Sequence, residues 1–202
     1  MVIKKISNEK NNLINWTTRD LLITATISIV FAIFFMFATY LYMMFILPLG
    51  PLAISAVQGM WFIPPIFIAY IIRRPGAVLL IQSIISIIRI PFSPTGWLML
   101  VIMNLLLVGI PCELVFLVNR YRNYNISILM IAGIVAGLFC TIAMWIIADV
   151  NLLSINIQIL IIIVSITTGA ISGCASKILA DTIAKTGVLS GYAVGQKFQN
   201  EI

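Results

Sequence analysis

From Leu21 to Ile72 the chain carries no charged residue. Charges return at Arg73 and Arg74, vanish again until Arg89, and then reappear sparsely at Glu113, Arg120, Arg122, Asp149 and Lys177. A helix needs about 20 consecutive apolar residues to cross a bilayer core, and the uncharged runs are of that order. Soluble domains are about 25% charged; here the figure is 9%, with 62% of residues hydrophobic. Lipid therefore has to be the solvent for most of the surface, and the backbone must satisfy its own polar groups as helices.

The charges and the proline and glycine breaks divide the chain into six expected spans, at about 21–47, 52–72, 77–90, 95–118, 126–147 and 156–180. The expected class is all-α, a polytopic membrane protein of six transmembrane helices. Residues 1–20 form a cytoplasmic arm, 21–186 the transmembrane domain and 187–202 a cytoplasmic tail. Thr17 or Thr18 suits the cap of the first helix, with Asp20 in its first turn. The third span is short, about 21 Å at 1.5 Å per residue against a core of about 30 Å. With six spans, every Lys and Arg except Arg89 falls on one face. That asymmetry places both termini in the cytoplasm, in a multi-pass membrane protein. Residues 1–20 lack signal-peptide organisation, so the first span is expected to be retained.

Function is narrowed first by what is missing. Histidine is absent, which removes the commonest general base and metal ligand. No nucleotide-binding loop or metalloprotease motif occurs, and Cys112, Cys140 and Cys174 lie too far apart to suggest a bridge or a metal. No cofactor, metal, catalytic residue or nucleic-acid partner is expected. A lipid-modifying enzyme would need a nucleophile and base that the chain does not offer, so the reading is a non-enzymatic binder that borrows energy. A non-transporting scaffold is the other class that remains open.

Polar groups inside the spans mark the candidate binding residues. Gln58, Trp61, Gln82, Arg89, Trp97, Asn104, Trp145 and Asp149 sit in the outer and middle parts, where aromatic faces could stack on a ring and amides could fix its edges. Arg89 could hold an anion or reach the headgroups. Glu113, the one acid deep in a span, is a functional or ion-pairing candidate by its cost alone. Thr24, Ser28 and Ala32 make a small-residue stripe on the first helix, and Gly133, Gly137, Gly169 and Gly173 make two more, suited to close helix approach.

Several segments resemble the YkoE family. They are Gly50-Pro51-Leu52, Gly59-Met60-Trp61-Phe62-Ile63, Ala69 to Ala77, Cys112 to Phe116 before Asn119-Arg120-Tyr121, and Asp181 to Gly191. The resemblance implies a six-helix bundle of the S-component type, the substrate-binding subunit of an energy-coupling factor (ECF) transporter. Its partners would be a vitamin, a transmembrane coupling protein and cytoplasmic ATPase subunits. It also implies that Thr24, Ser28 and Ala32 dock the coupling protein. The chain departs from the family pattern at Ser55, Gln82 and Arg89, where acids tend to stand. Two cargo readings follow: thiamine or its hydroxymethylpyrimidine precursor, or a neutral or anionic micronutrient.

Overall fold

Thr17 starts the first helix through a reciprocal cap. Its hydroxyl accepts from the Asp20 amide at 3.2 Å, and its own amide donates to Asp20 Oδ2 at 3.0 Å, so two of the orphan donors of the helix start are satisfied. The computed structural model describes residues 16–92, 97–147, 150–187, 189, 191–192 and 194–196, with the backbone alone over residues 97–100. Helix α1 (Thr18–Leu49) relaxes from α into a π turn at Tyr42–Ile46 and a 3-10 turn at Leu47–Leu49, where Pro48 removes a donor. Then come α2 (Pro51–Ile72), α3 (Ala77–Phe92), α4 (Trp97–Asn104, Leu105–Gly109 and Ile110–Val118), α5 (Ile126–Ile147) and α6 (Ile155–Lys185).

Two of these helices are interrupted where proline requires it. Gln58–Phe62 is 3-10 just before the Pro64-Pro65 pair of α2. Leu105–Gly109 is a π turn just before Pro111 of α4. In each case proline has no N–H to donate and its ring crowds the carbonyl one turn earlier, so the ladder widens or tightens upstream. At the end of α2, Arg73 takes the left-handed conformation (φ 55) and Gly76 follows at φ 83. These residues turn the chain sharply into α3.

Among the described residues five helices are long and apolar enough to cross a membrane, and α3 is the shorter sixth. Its length is no obstacle, because it runs inside the bundle. Ala77, Val78, Ile81, Gln82, Ile85, Ser86 and Arg89 are all buried, spaced as one helix face, and α1, α2 and α4 pack around them. The outer surface is what lipid asks for: Leu22, Val30, Phe37, Met44, Ile146 and Ile171 are exposed.

The closest helix pair is α5 with α6, and its contact is made by the two glycine stripes. A Cβ at Gly133 would overlap the Gly169 carbonyl, and one at Gly169 would overlap that of Gly133. Gly173 lies equally close to the backbone of Leu129. The Thr141 hydroxyl donates to Ser165 Oγ across the pair at 2.8 Å. Small residues here let backbone meet backbone, the main attraction available where apolar surface gains nothing from leaving lipid.

The surroundings of α1 and the end of α6 add detail that the sequence does not carry. The stripe Thr24, Ser28 and Ala32 is at most 1% exposed; it is the inward face of α1, which packs chiefly on α3. In this conformation those side chains meet α3 of the same chain rather than the outer surface. Helix α6 does not stop at Ala180 but continues to Lys185, since the Lys177–Asp181 ion pair supports a solvated turn. Among the described residues beyond 186, Leu189, Tyr192 and Val194 are buried.

That return seat brings three parts of the chain to one end of the bundle. Asp20 accepts from Tyr192 OH at 2.9 Å and pairs with Arg74 Nε at 2.9 Å. Arg19 lies over the Tyr192 ring at 5.3 Å. Burial first, and then the bond to Asp20, push the Tyr192 phenol up to about 12, so it remains a proton donor at physiological pH. The start of α1, the α2–α3 turn and the C-terminal segment thus share one end, as an even number of crossings requires.

Candidate functional site

Helix α3 carries three polar residues on its buried face, Gln82, Ser86 and Arg89, at i, i+4 and i+7. They form a column about 10 Å long that is at most 8% exposed. Gln82 Nε2 donates to Asn104 Oδ1 of α4 at a long 3.4 Å, while its Oε1 has no partner among the described residues. The Ser86 hydroxyl is unpartnered too. A buried polar atom left without a hydrogen bond costs about 1–3 kcal/mol, so two on one face need a reason.

At the end of the column the Arg89 guanidinium is clasped rather than extended. Its Nη2 donates to Thr39 Oγ1 of α1 at 2.6 Å, and its carbon sits over the Trp61 ring at 4.9 Å and the Phe35 ring at 5.8 Å. Phe35 and Tyr42 in turn hold the indole, with ring centroids 4.5 and 6.3 Å away. A small cavity of about 10 Å³ lies against Arg89, walled by Met36, Thr39 and Phe92. That is room for about one water, so a larger ligand enters only when Arg89 and its neighbours part. The guanidinium therefore points inward onto aromatic faces, and it does not snorkel.

Gln58 and Trp145 add unpartnered donors, Gln58 Nε2 and Trp145 Nε1, although no bond joins either to the column. Gln58 lies in the 3-10 break of α2, beside Gly59, whose absent side chain lets α2 approach the Thr168 backbone of α6. The side chain of Trp97 and all of Asp149 lie outside the described residues. Ser86 and Thr39 are the members that sequence reading missed. The spacing of Ser86 between Gln82 and Arg89 was the available signal.

Glu113 is elsewhere. Its Oε1 accepts from the Gly76 amide at 2.7 Å and also from Tyr121 OH, and Oε2 accepts from the Val78 amide at 3.2 Å. The carboxylate thus caps the start of α3, where unpaired amides and the helix dipole favour an anion. Burial first, and then this carboxylate, hold the Tyr121 phenol above its ordinary range. Val78 and Arg89 are about 16 Å apart along the helix axis, so Glu113 and Arg89 share no site. Nearby, Asp181 accepts from Tyr70 OH at 2.9 Å, and Arg73 lies over the Tyr70 and Tyr124 rings. The acids at this end are bound to the protein itself.

A wide concavity of about 630 Å³ runs between α1, α2 and α6, lined by Phe31, Phe34, Met60, Phe67, Leu179 and their neighbours. Its one hydroxyl, Thr26, is donated to the Leu22 carbonyl. It has nothing with which to orient a polar ligand.

Residues 19–139 match the sequence model of the family described as "ABC-type cobalt transport system, permease component". The chain belongs to this family. It is also 29% identical over 189 residues to YkoE of Bacillus subtilis (strain 168), provisionally named an HMP/thiamine permease protein, across 93% of this chain and 94% of the relative. A crystal structure of an S-component of an ECF transporter superposes with a TM-score of 0.84, at 28% identity, over 93% of this chain and 95% of that one. The chain is a membrane-embedded S-component of the ECF type, in agreement with the resemblance read from its segments. Such subunits bind a small molecule, work with an ECF module and are not enzymes.

Proposed function

We propose that this S-component captures a thiamine-type heteroaromatic, thiamine itself or its hydroxymethylpyrimidine precursor, at the Arg89 end of α3 facing the outside of the cell. The observation that carries the reading is the buried polar column beside Trp61, with Gln82 Oε1 and Ser86 Oγ left without partners. An aminopyrimidine has the complementary edge: an exocyclic amine to donate to Gln82, and ring nitrogens to accept from Ser86 or Gln58. Trp61 supplies stacking surface, and Asn104 holds Gln82 in place. Trp97, Trp145 and Asp149 complete the set by their positions in the sequence. The relative from Bacillus subtilis is named for the same two compounds, which supports the choice of class. A transmembrane coupling protein and cytoplasmic ATPases would supply the energy for inward release, both termini of the chain being cytoplasmic. On this reading Glu113 is a structural cap.

Equilibrium binding of labelled hydroxymethylpyrimidine and thiamine to the purified protein separates the two ends of α3. Gln82→Leu and Trp61→Ala should weaken whichever ligand binds by about tenfold or more, equivalent to about 1.4 kcal/mol. Glu113→Gln should change affinity by less than about threefold. A large loss with Glu113→Gln and none with the other two would move the site to the opposite end and defeat the proposal.

A further inference from the structure

We infer that Arg89 is a charge filter, and that of the two thiamine-type compounds this subunit takes the uncharged pyrimidine and rejects the thiazolium cation. The inference rests on the binding site proposed above and adds its selectivity. Three observations carry it. First, the guanidinium is buried, 8% exposed, with its charge held inside the bundle by Thr39 at 2.6 Å. Second, the ion pairs found among the described residues are Arg74–Asp20 and Lys177–Asp181; none reaches Arg89, so no described carboxylate offsets its charge. Third, Arg89 already lies over one face of the Trp61 ring and over the Phe35 ring, leaving the other indole face for a neutral ring to stack on.

Aromatic faces are what a protein offers to a permanent organic cation, through the ring quadrupole. Here that attraction is spent on the protein's own cation. A thiazolium entering beside Trp61 would meet a like charge in a poorly solvated site, where screening is weak. The neutral pyrimidine meets no such penalty. Its hydroxymethyl oxygen can accept from a guanidinium N–H, while its amine donates to Gln82 Oε1 and Ser86 Oγ–H satisfies a ring nitrogen. Both unpartnered atoms of the column are then paired.

The test is titration calorimetry on the purified full chain with three probes: hydroxymethylpyrimidine, thiamine, and a thiamine analogue in which a neutral triazole replaces the thiazolium. The pyrimidine and the neutral analogue should each bind at least about tenfold tighter than thiamine, the scale of one uncompensated like charge near a partly solvated site. Arg89→Gln should shrink that preference to within about threefold by tightening thiamine, and Arg89→Lys should keep it. Thiamine binding as tightly as the pyrimidine in the wild type overturns the filter while leaving the site intact. A neutral analogue as weak as thiamine also overturns it, since size and not charge would then discriminate. If Asp149 compensates Arg89, thiamine is not disfavoured and Asp149→Asn makes it so; that result counts against the filter. Binding of none of the three overturns the proposed site first, and the filter with it.

Discussion

Gly169→Leu should abolish the folded protein. The α5–α6 contact is built on direct backbone approach: a Cβ at Gly169 would lie 2.7 Å from the Gly133 carbonyl carbon and 3.0 Å from the Ile134 amide nitrogen. Main-chain atoms cannot rotate aside as a side-chain tip can, so the helices must separate along their length. Even Gly169→Ala should cost about 3 kcal/mol, the upper range for overpacking, because Gly133 and Gly173 lose contact together. Leucine adds three more carbons at the same point. Size-exclusion chromatography after membrane extraction should show a monodisperse wild type, a weakened alanine variant and aggregate for leucine. A monodisperse leucine variant with wild-type melting would mean that the two helices do not meet at these glycines.

The second large effect is expected at Glu113. Alanine there removes the acceptor for two amides at the start of α3 and for the Tyr121 hydroxyl. Buried hydrogen bonds to a charged group contribute about 1.5–3 kcal/mol each, net of exchange with water. Glu113 is only partly buried, which lets water replace some of the loss, so about 3 kcal/mol in total is the expected cost. For a chain of this length that lowers the melting midpoint by roughly 6–12 °C. Glutamine keeps an acceptor oxygen but no charge, and should lose about half as much. The informative part is the contrast with binding: stability falls while ligand affinity holds. A Glu113→Ala protein that melts like the wild type but no longer binds would place this carboxylate in recognition after all.

Much of the fold is legible in the chain because lipid enforces it. Spans expected at 52–72 and 126–147 appear as Pro51–Ile72 and Ile126–Ile147, since charges and prolines mark where hydrocarbon ends. The glycine stripes of α5 and α6 are legible for a similar reason: small residues at a spacing of four have few other uses in a membrane. The small-residue stripe of α1 is less specific by the same logic. Thr24, Ser28 and Ala32 allow close approach but do not say whose helix approaches, and here it is α3 of the same chain. Glu113 shows a second limit. Its partners are amides of Gly76 and Val78, and a backbone amide leaves no mark in sequence. The seat of Tyr192 on Asp20 hides likewise, behind a separation of 172 residues. Once α6 leaves the bilayer, the charges at Lys177, Asp181 and Lys185 no longer end it, because outside lipid they only decorate a helix.

The candidate site was half legible. Gln82, Arg89, Trp61 and Asn104 stand out as polar or aromatic residues in apolar runs, and α3 and its neighbours do gather them. That Arg89 turns inward onto two rings is a matter of packing between α1, α2 and α3, which no single span encodes.

We propose above that the buried column on α3 binds a thiamine-type heteroaromatic. Thermal melting of the purified chain, with and without hydroxymethylpyrimidine or thiamine, tests it most directly. A ligand present at about 100 times its Kd should add about 2.7 kcal/mol of stability, visible as an upward shift that Gln82→Leu abolishes at the same concentration. No shift with either compound, in a protein that melts cooperatively, would contradict the account.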